Sequence, residues 1–276
     1  MTCFNRSLLS TSIGLANRAK FNKVPWPVVT GALFSAPALA VDNDIRAVDG
    51  ITSVSSAGNV HTITSGKRSN ASAINVFDKF VVGTSHTANL EVPADASNLV
   101  NIVRGSDAPE VHGILNSYKN GSLGGNVVFA SSAGFIVGET GVVNVGKLSI
   151  KTPDSSDITA LLSGGEPVDS EVSDLLSNSF SVSSTGLVRI QGKINTASGV
   201  DIFANTIDVD EKAIIIAGNA AAASGVSNYG QNNDYTAVNV DDLTIPNELK
   251  VDGGTIVLKA SSSADGAINL SFFFLA

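Results

Sequence analysis

Residues 125–150, GNVVFASSAGFIVGETGVVNVGKLSI, carry only two charges, Glu139 and Lys147. Four short apolar runs fill the stretch: Asn126-Val127-Val128-Phe129, Phe135-Ile136-Val137, Val142-Val143-Asn144-Val145 and Leu148-Ser149-Ile150. Each has the length of a β-strand and is rich in β-branched residues. Gly, Ser and Asn punctuate them, which suits corners. The same texture extends upstream through Ala73-Ile74-Asn75-Val76-Phe77, Phe80-Val81-Val82 and Leu99-Val100-Asn101-Ile102-Val103. Downstream it continues through residues 186–194, 200–204, 206–209, 213–216 and 254–260, where aliphatic and polar positions often alternate, as half-buried strands require. The runs follow one another too closely for helical crossovers. An all-β chain is therefore expected, either a sandwich or barrel, or a solenoid of short stacked strands. Sparse hairpin signals and single-residue corners favour the solenoid, a parallel β-helix whose narrow interior leaves little room for large rings. No exact repeat period can be counted.

Two segments break this rhythm. Residues 152–179 contain Pro153, Gly164-Gly165, Pro167 and six acids, and are expected to form short helices or an excursion from the strand rows. Residues 218–233, rich in Ala, Ser, Gly and Asn, read as a surface loop.

The first forty residues have Arg6, Arg18, Lys20 and Lys23 but no acid, then an apolar run over 24–39 ending in Ala38-Leu39-Ala40. A basic part, an apolar part and an A-x-A site make a secretory signal peptide, with cleavage expected after Ala40. The apolar run, broken by Pro25, Pro27 and Pro37, is shorter than the roughly 20 residues of a spanning helix. Without these four bases, the remaining 13 bases and 25 acids give residues 41–276 a formal charge of −12. Cys3, Met1 and Trp26 also lie in the removed part. An exported chain without cysteine depends on packing for stability. Its acidity disfavours nucleic acid and anionic membranes as partners.

Residues 125–138, followed by Val143-Asn144-Val145-Gly146-Lys147-Leu148, resemble the secretion domain of filamentous haemagglutinin-type adhesins, the two-partner secretion family. Residues 74–82, with Phe77-Asp78-Lys79-Phe80, then 97–105 and 111–115 are similar to further blocks of that family in order and spacing. The resemblance covers roughly residues 51–217. Where the family has Asn-Pro-Asn-Gly, this chain has Ser131-Ser132-Ala133-Gly134, so the resemblance keeps the turn glycine but not the asparagine side-chain bonds. This departure is similar to a subfamily of large adhesins or leukotoxin-like exoproteins.

The resemblance implies a right-handed parallel β-helix with an N-terminal cap, spanning 41–276. It also implies recognition by the periplasmic domains of a dedicated outer-membrane transporter, with strand addition as the physical mode. The recognition and turn residues it points to are Asn98, Leu99, Asn101, Ser131, Ser132, Ala133, Gly134 and Phe135. The protein is then expected to pass through the periplasm of a Gram-negative bacterium to the exterior or cell surface. Its role there would be adhesion, through a host or neighbouring-cell surface receptor.

Other chemistry in the sequence is sparse. His61, His86 and His112 lie 25 and 26 residues apart but have no adjacent carboxylate or cysteine cluster, and read as surface or turn histidines, not as a metal site. Asp208, Asp210 and Glu211, and Asp241 with Asp242, read as a solvated acidic face. Phe77, Phe80, Phe129 and Phe135 read as core or cap packing. No cofactor is expected. The alternatives are an extracellular polysaccharide-cleaving β-helix and the front of a contact-dependent inhibition toxin. The first needs paired carboxylates and aromatic platforms, whereas residues 41–276 hold only Tyr118, Tyr229 and Tyr235 besides phenylalanine. The apolar ending Phe272-Phe273-Phe274-Leu275-Ala276 leads to the expectation of a truncated adhesin, because solenoids close on polar caps.

Overall fold

The computed structural model describes residues 40–218 and the strands Leu249–Asp252, Thr255–Ala260 and Ala267–Leu270. The signal-peptide segment, the 218–233 loop beyond Gly218, Asp241, Asp242, Tyr229, Tyr235 and the last six residues lie outside the described residues. The described part is mostly β, with one 20-stranded mixed sheet and a separate two-stranded hairpin.

Parallel pairing dominates and falls into three rows. In row A, Ser72–Val82 pairs through its first half with Asn98–Val103, followed by Asn126–Ala130, the second half of Val142–Lys151, the second half of Lys193–Ala204, and Thr255–Ala260. Row B runs through Val81 and Val82, Glu110–Val111, Gly134–Val137, Leu187–Ile190, Thr206–Val209 and Ala267–Leu270. Row C runs through Val60–Ser65, Thr87–Val92, Ile114–Lys119, Val142 to Asn144, Lys193 to Thr196, Ile214–Gly218 and Leu249–Asp252. From Ser72 to Gly218 the chain visits the rows in a fixed order, A then B then C, and each new strand pairs with its counterpart from the previous cycle; Leu249–Asp252 then adds a further strand to row C before Thr255–Ala260 and Ala267–Leu270 extend rows A and B.

Antiparallel pairing is concentrated at the N-terminal end. Asp44–Ala47 lies on Ser72–Val82, Thr52–Ala57 on Val60–Ser65, and Lys67–Ser69 on Ser72–Val82, so the first cycle is covered by reversed strands. Cycle length explains the missing repeat period. Ser72 pairs with Asn98, Leu99 with Val127, Asn126 with Lys147, and Lys147 with Gly199, four unequal separations. A row tolerates this because only the strand register is fixed, while corners vary in length.

Inward positions of all three rows form one core. Its first cycles hold rings as well as aliphatics: Phe77 meets Phe80 at 5.0 Å, Phe80 meets Phe129 at 5.3 Å and Phe129 meets Phe135 at 4.9 Å. The expectation of little room for large rings is thus corrected. Ala73, Ala88 and Ala96 on the same core supply the missing volume. Later cycles are aliphatic, with Val188, Ile190, Ile194, Val200, Ile202 and Ile207.

Residues 153–182 leave row A and return to row B. Asp154 accepts from the Ser156 and Asp157 amides and caps the helix Ser155–Ala160. The hairpin Leu162–Ser163 with Glu166–Pro167 follows, then the helix Asp169–Ser177, which ends on left-handed Asn178. Ile158, Leu161, Val172 and Leu175 from this segment pack on Ile74, Val76, Val100, Ile102, Val128 and Ala130, the outward side chains of row A. The expected excursion and short helices are both present, and they bury this face of the sheet.

Candidate functional site

The eight residues expected to mark recognition fall on adjacent cycles. Leu99 pairs with Val127 and Asn101 with Phe129, so the Asn98–Val103 strand lies directly against the strand that leads into the 131–134 turn. Leu99, Asn101, Ser131, Gly134 and Phe135 are buried, while Asn98, Ser132 and Ala133 are partly exposed. Asn98 donates from Nδ2 to Ser72 Oγ at 3.4 Å. Asn101 accepts at Oδ1 from Asn75 Nδ2 at 3.0 Å and donates to the Val128 carbonyl at 3.3 Å, across two cycles.

Gly134 has φ +118°, and a Cβ placed on it would lie 1.8 Å from the Leu187 carbonyl oxygen. The glycine lets the next cycle approach the turn. Ser131 bonds within the turn and to the next cycle. Its Oγ accepts from the Ala133 amide at 3.3 Å, and its own amide donates to the Lys151 carbonyl at 3.2 Å. A serine hydroxyl therefore supplies a local side-chain bond at this turn. Ser132 lines a cleft of about 320 Å³ with Arg104, Ser155, Ile158, Thr159, Leu162 and Gly165. Arg104 is already paired with Asp78 at 2.5 Å.

A row of asparagines escaped sequence reasoning. In row C, Asn195 donates to Asn144 at 3.0 Å, Asn144 to Asn116 at 2.9 Å and Asn116 to Asn89 at 3.0 Å. Identical amides in register satisfy one another, and the chain of bonds ends at Asn195 Oδ1, whose next neighbour in register is Ile216. The signal was available as an asparagine in the middle of successive apolar runs at 89, 116 and 144, with Asn75 and Asn101 repeating it in row A.

One of the three histidines differs from the expectation of surface or turn positions, while His86 and His112 are partly exposed beside a turn and in a bend. His61 is only 8% exposed and sits in a strand, with Ser56 Oγ 2.8 Å from its Nδ1 and His86 Nδ1 3.0 Å from its Nε2. The two rings stack at 5.3 Å. Burial, and then the neighbouring His86, push the His61 pKa down. His112 contacts Glu110 Oε2 at 2.8 Å instead. Among the described residues no group of three or more His, Cys, Asp or Glu side chains comes together to hold a metal ion. Asp208, expected in a solvated acidic face, instead pairs with Arg189 at 3.0 Å across a cycle.

Lys151 is a buried cation, 3% exposed, on the outward side of row A. Its Nζ donates to the Leu176 carbonyl at 3.2 Å and to Asn178 Oδ1, at the C-terminus of the excursion's second helix. Burial lowers its pKa from the usual range to about 8, against a smaller opposing pull from Asp201. The helix-terminal carbonyls favour the cation that burial disfavours.

No protein-family model matches the chain, and no curated protein matches it significantly. Among the described residues, no helix is long and apolar enough to cross a membrane.

Proposed function

We propose that the chain is the secretion-signal-bearing N-terminal module of an exported filamentous haemagglutinin-like adhesin, folded as a right-handed parallel β-helix. Its cognate outer-membrane transporter reads it from the periplasm. The observation that carries this reading is the A–B–C order of parallel rows, kept from Ser72 to Gly218, beneath an antiparallel N-terminal cover. That order is what successive coils of a three-faced solenoid produce. The module is a scaffold without a reaction centre, and its exported form serves attachment to a host or neighbouring-cell surface receptor.

Burial of the recognition residues adds a constraint on mechanism. Leu99, Asn101, Ser131, Gly134 and Phe135 are inaccessible once folded, so a transporter domain that reads them does so on the extended chain. Strand addition fits, because alternating segments can donate backbone hydrogen bonds to an open sheet edge before they pair with one another. Folding outside the cell then removes the chain from the transporter's reach and biases passage outward.

The test is secretion of the full chain with and without a co-expressed candidate transporter. The reading expects export only with the transporter, together with binding of its periplasmic domains to urea-unfolded chain and not to refolded chain. Equal secretion in both strains, or preferential binding of the folded form, contradicts it.

A further inference from the structure

Residues 153–182 form a closed excursion with a defined base and a distant anchor. At the base, Pro153 bridges Val182, the Asp154 amide donates to the Ser181 carbonyl at 2.8 Å, and the Ser183 amide donates to the Thr152 carbonyl at 2.8 Å. At the far end, Ser69 Oγ donates to Asp169 Oδ1 at 2.8 Å and Lys67 pairs with Glu166 at 2.5 Å. The excursion therefore runs from the fourth strand of row A back across the first three and reaches the N-terminal cover. Phe180 closes its return against Phe203 at 5.2 Å.

The two sets of contacts differ in how much chain they need. Neighbouring strands of row A meet across 26 residues, as in the Asn75–Asn101 bond, whereas Ser69 and Asp169 are 100 residues apart. Nearest-neighbour rows can grow cycle by cycle, but the longer closure waits for the whole intervening chain. The helices Ser155–Ala160 and Asp169–Ser177 are too short to persist alone, so they form on the sheet and not ahead of it.

We propose that residues 153–182 are a strap that closes last. The inner core of the first three cycles assembles while Ile74, Val76, Val100, Ile102, Val128 and Ala130 remain an open apolar strip, and the strap then seals it. Resting on the secretion reading, this makes emergence of the chain past residue 182 the step that seals the first three cycles outside the cell.

The strap is testable without a transporter. In a Cys3→Ser chain, Val100→Cys places a thiol under the strap and Val127→Cys places one in the inner core. During refolding, Val100→Cys is expected to stay reactive toward a thiol reagent after Val127→Cys has become protected. In the native state it is expected to label roughly tenfold faster or more, because the strap opens without global unfolding. Adding Leu175→Asp raises the Val100→Cys rate further and leaves the Val127→Cys rate unchanged. Simultaneous protection and equal native rates overturn the proposal, and the refolding comparison decides it even if Leu175→Asp fails to fold. Because this assay contains no transporter, its failure is distinct from failure of transporter-dependent export.

Discussion

The outer faces of rows A and B are both built from parallel strands stacked cycle on cycle, yet they differ in chemistry. Reading across cycles, the outward positions of row A are Ile74, Val100 and Val128, with Val76, Ile102 and Ala130 beside them. The equivalent line on row B is Val81, Glu110, Ile136, Arg189 and Asp208. Beneath the strap row A is buried on both faces, so its strands read as continuous apolar runs; row B, beyond the covered Val81, is partly exposed and alternates. The difference lies in what covers the sheet, since the backbone pairing is the same in both rows. Where the strap ends, row A turns polar as well, through Ser149, Lys151 and Asp201.

The largest effect is expected at the corner that joins the two faces. Gly134→Val puts a branched side chain into the Leu187 carbonyl at a positive φ, and is expected to destabilise by more than about 4 kcal/mol, seen as loss of a cooperative unfolding transition. A matched pair of substitutions breaks the comparison directly. Val100→Asp buries a carboxylate beneath the strap and is expected to cost about 4 kcal/mol, whereas Ile136→Asp on the row B face costs about 1 kcal/mol or less in urea titration.

Lys151 gives the comparison a pH dependence. Its folded pKa, about 8, lies below that of the unfolded chain, so between about 8 and 10.5 the unfolded state binds more protons and stability rises with pH. Lys151→Met removes this rise. The stability difference between the two proteins should shift in favour of the lysine form by up to about 3 kcal/mol from pH 7 to pH 10.5. The smallest effect belongs to row B, where Arg189→Ala breaks an exposed ion pair and is expected to change stability by less than about 1 kcal/mol, declining with added salt.

Strand positions were legible because apolar runs and corner residues are local signals. The runs at 73–77 and 80–82 fuse into one strand, Ser72–Val82, as do those at 142–145 and 148–150 into Val142–Lys151, since a strand can bend at a corner without losing its pairing. Partner strands were not legible, because cycle length varies and the 153–182 insertion doubles one separation. The role of the insertion was hidden for a related reason. Ile158, Leu161, Val172 and Leu175 look like ordinary helix positions, and only the fold brings them onto Val100 and Ile102. At the candidate site, residue types pointed to the turn, but burial of Asn101 and Ser131 depends on neighbouring cycles and has no local signature. His61 was misread for the same reason, as its contact with His86 spans a full cycle.

The most direct test of the parallel stacked order uses paired cysteines in row C. Cys3 is the only cysteine in the chain, so a Cys3→Ser background reports engineered pairs alone. Asn116 and Asn144, and Asn144 and Asn195, are register partners in adjacent strands, within reach of a disulfide; Asn116 and Asn195 are separated by a strand. Stacking in this order gives oxidative crosslinking of the first two pairs and none of the third. Crosslinking of Asn116 with Asn195, or of neither adjacent pair in a folded chain, would contradict it.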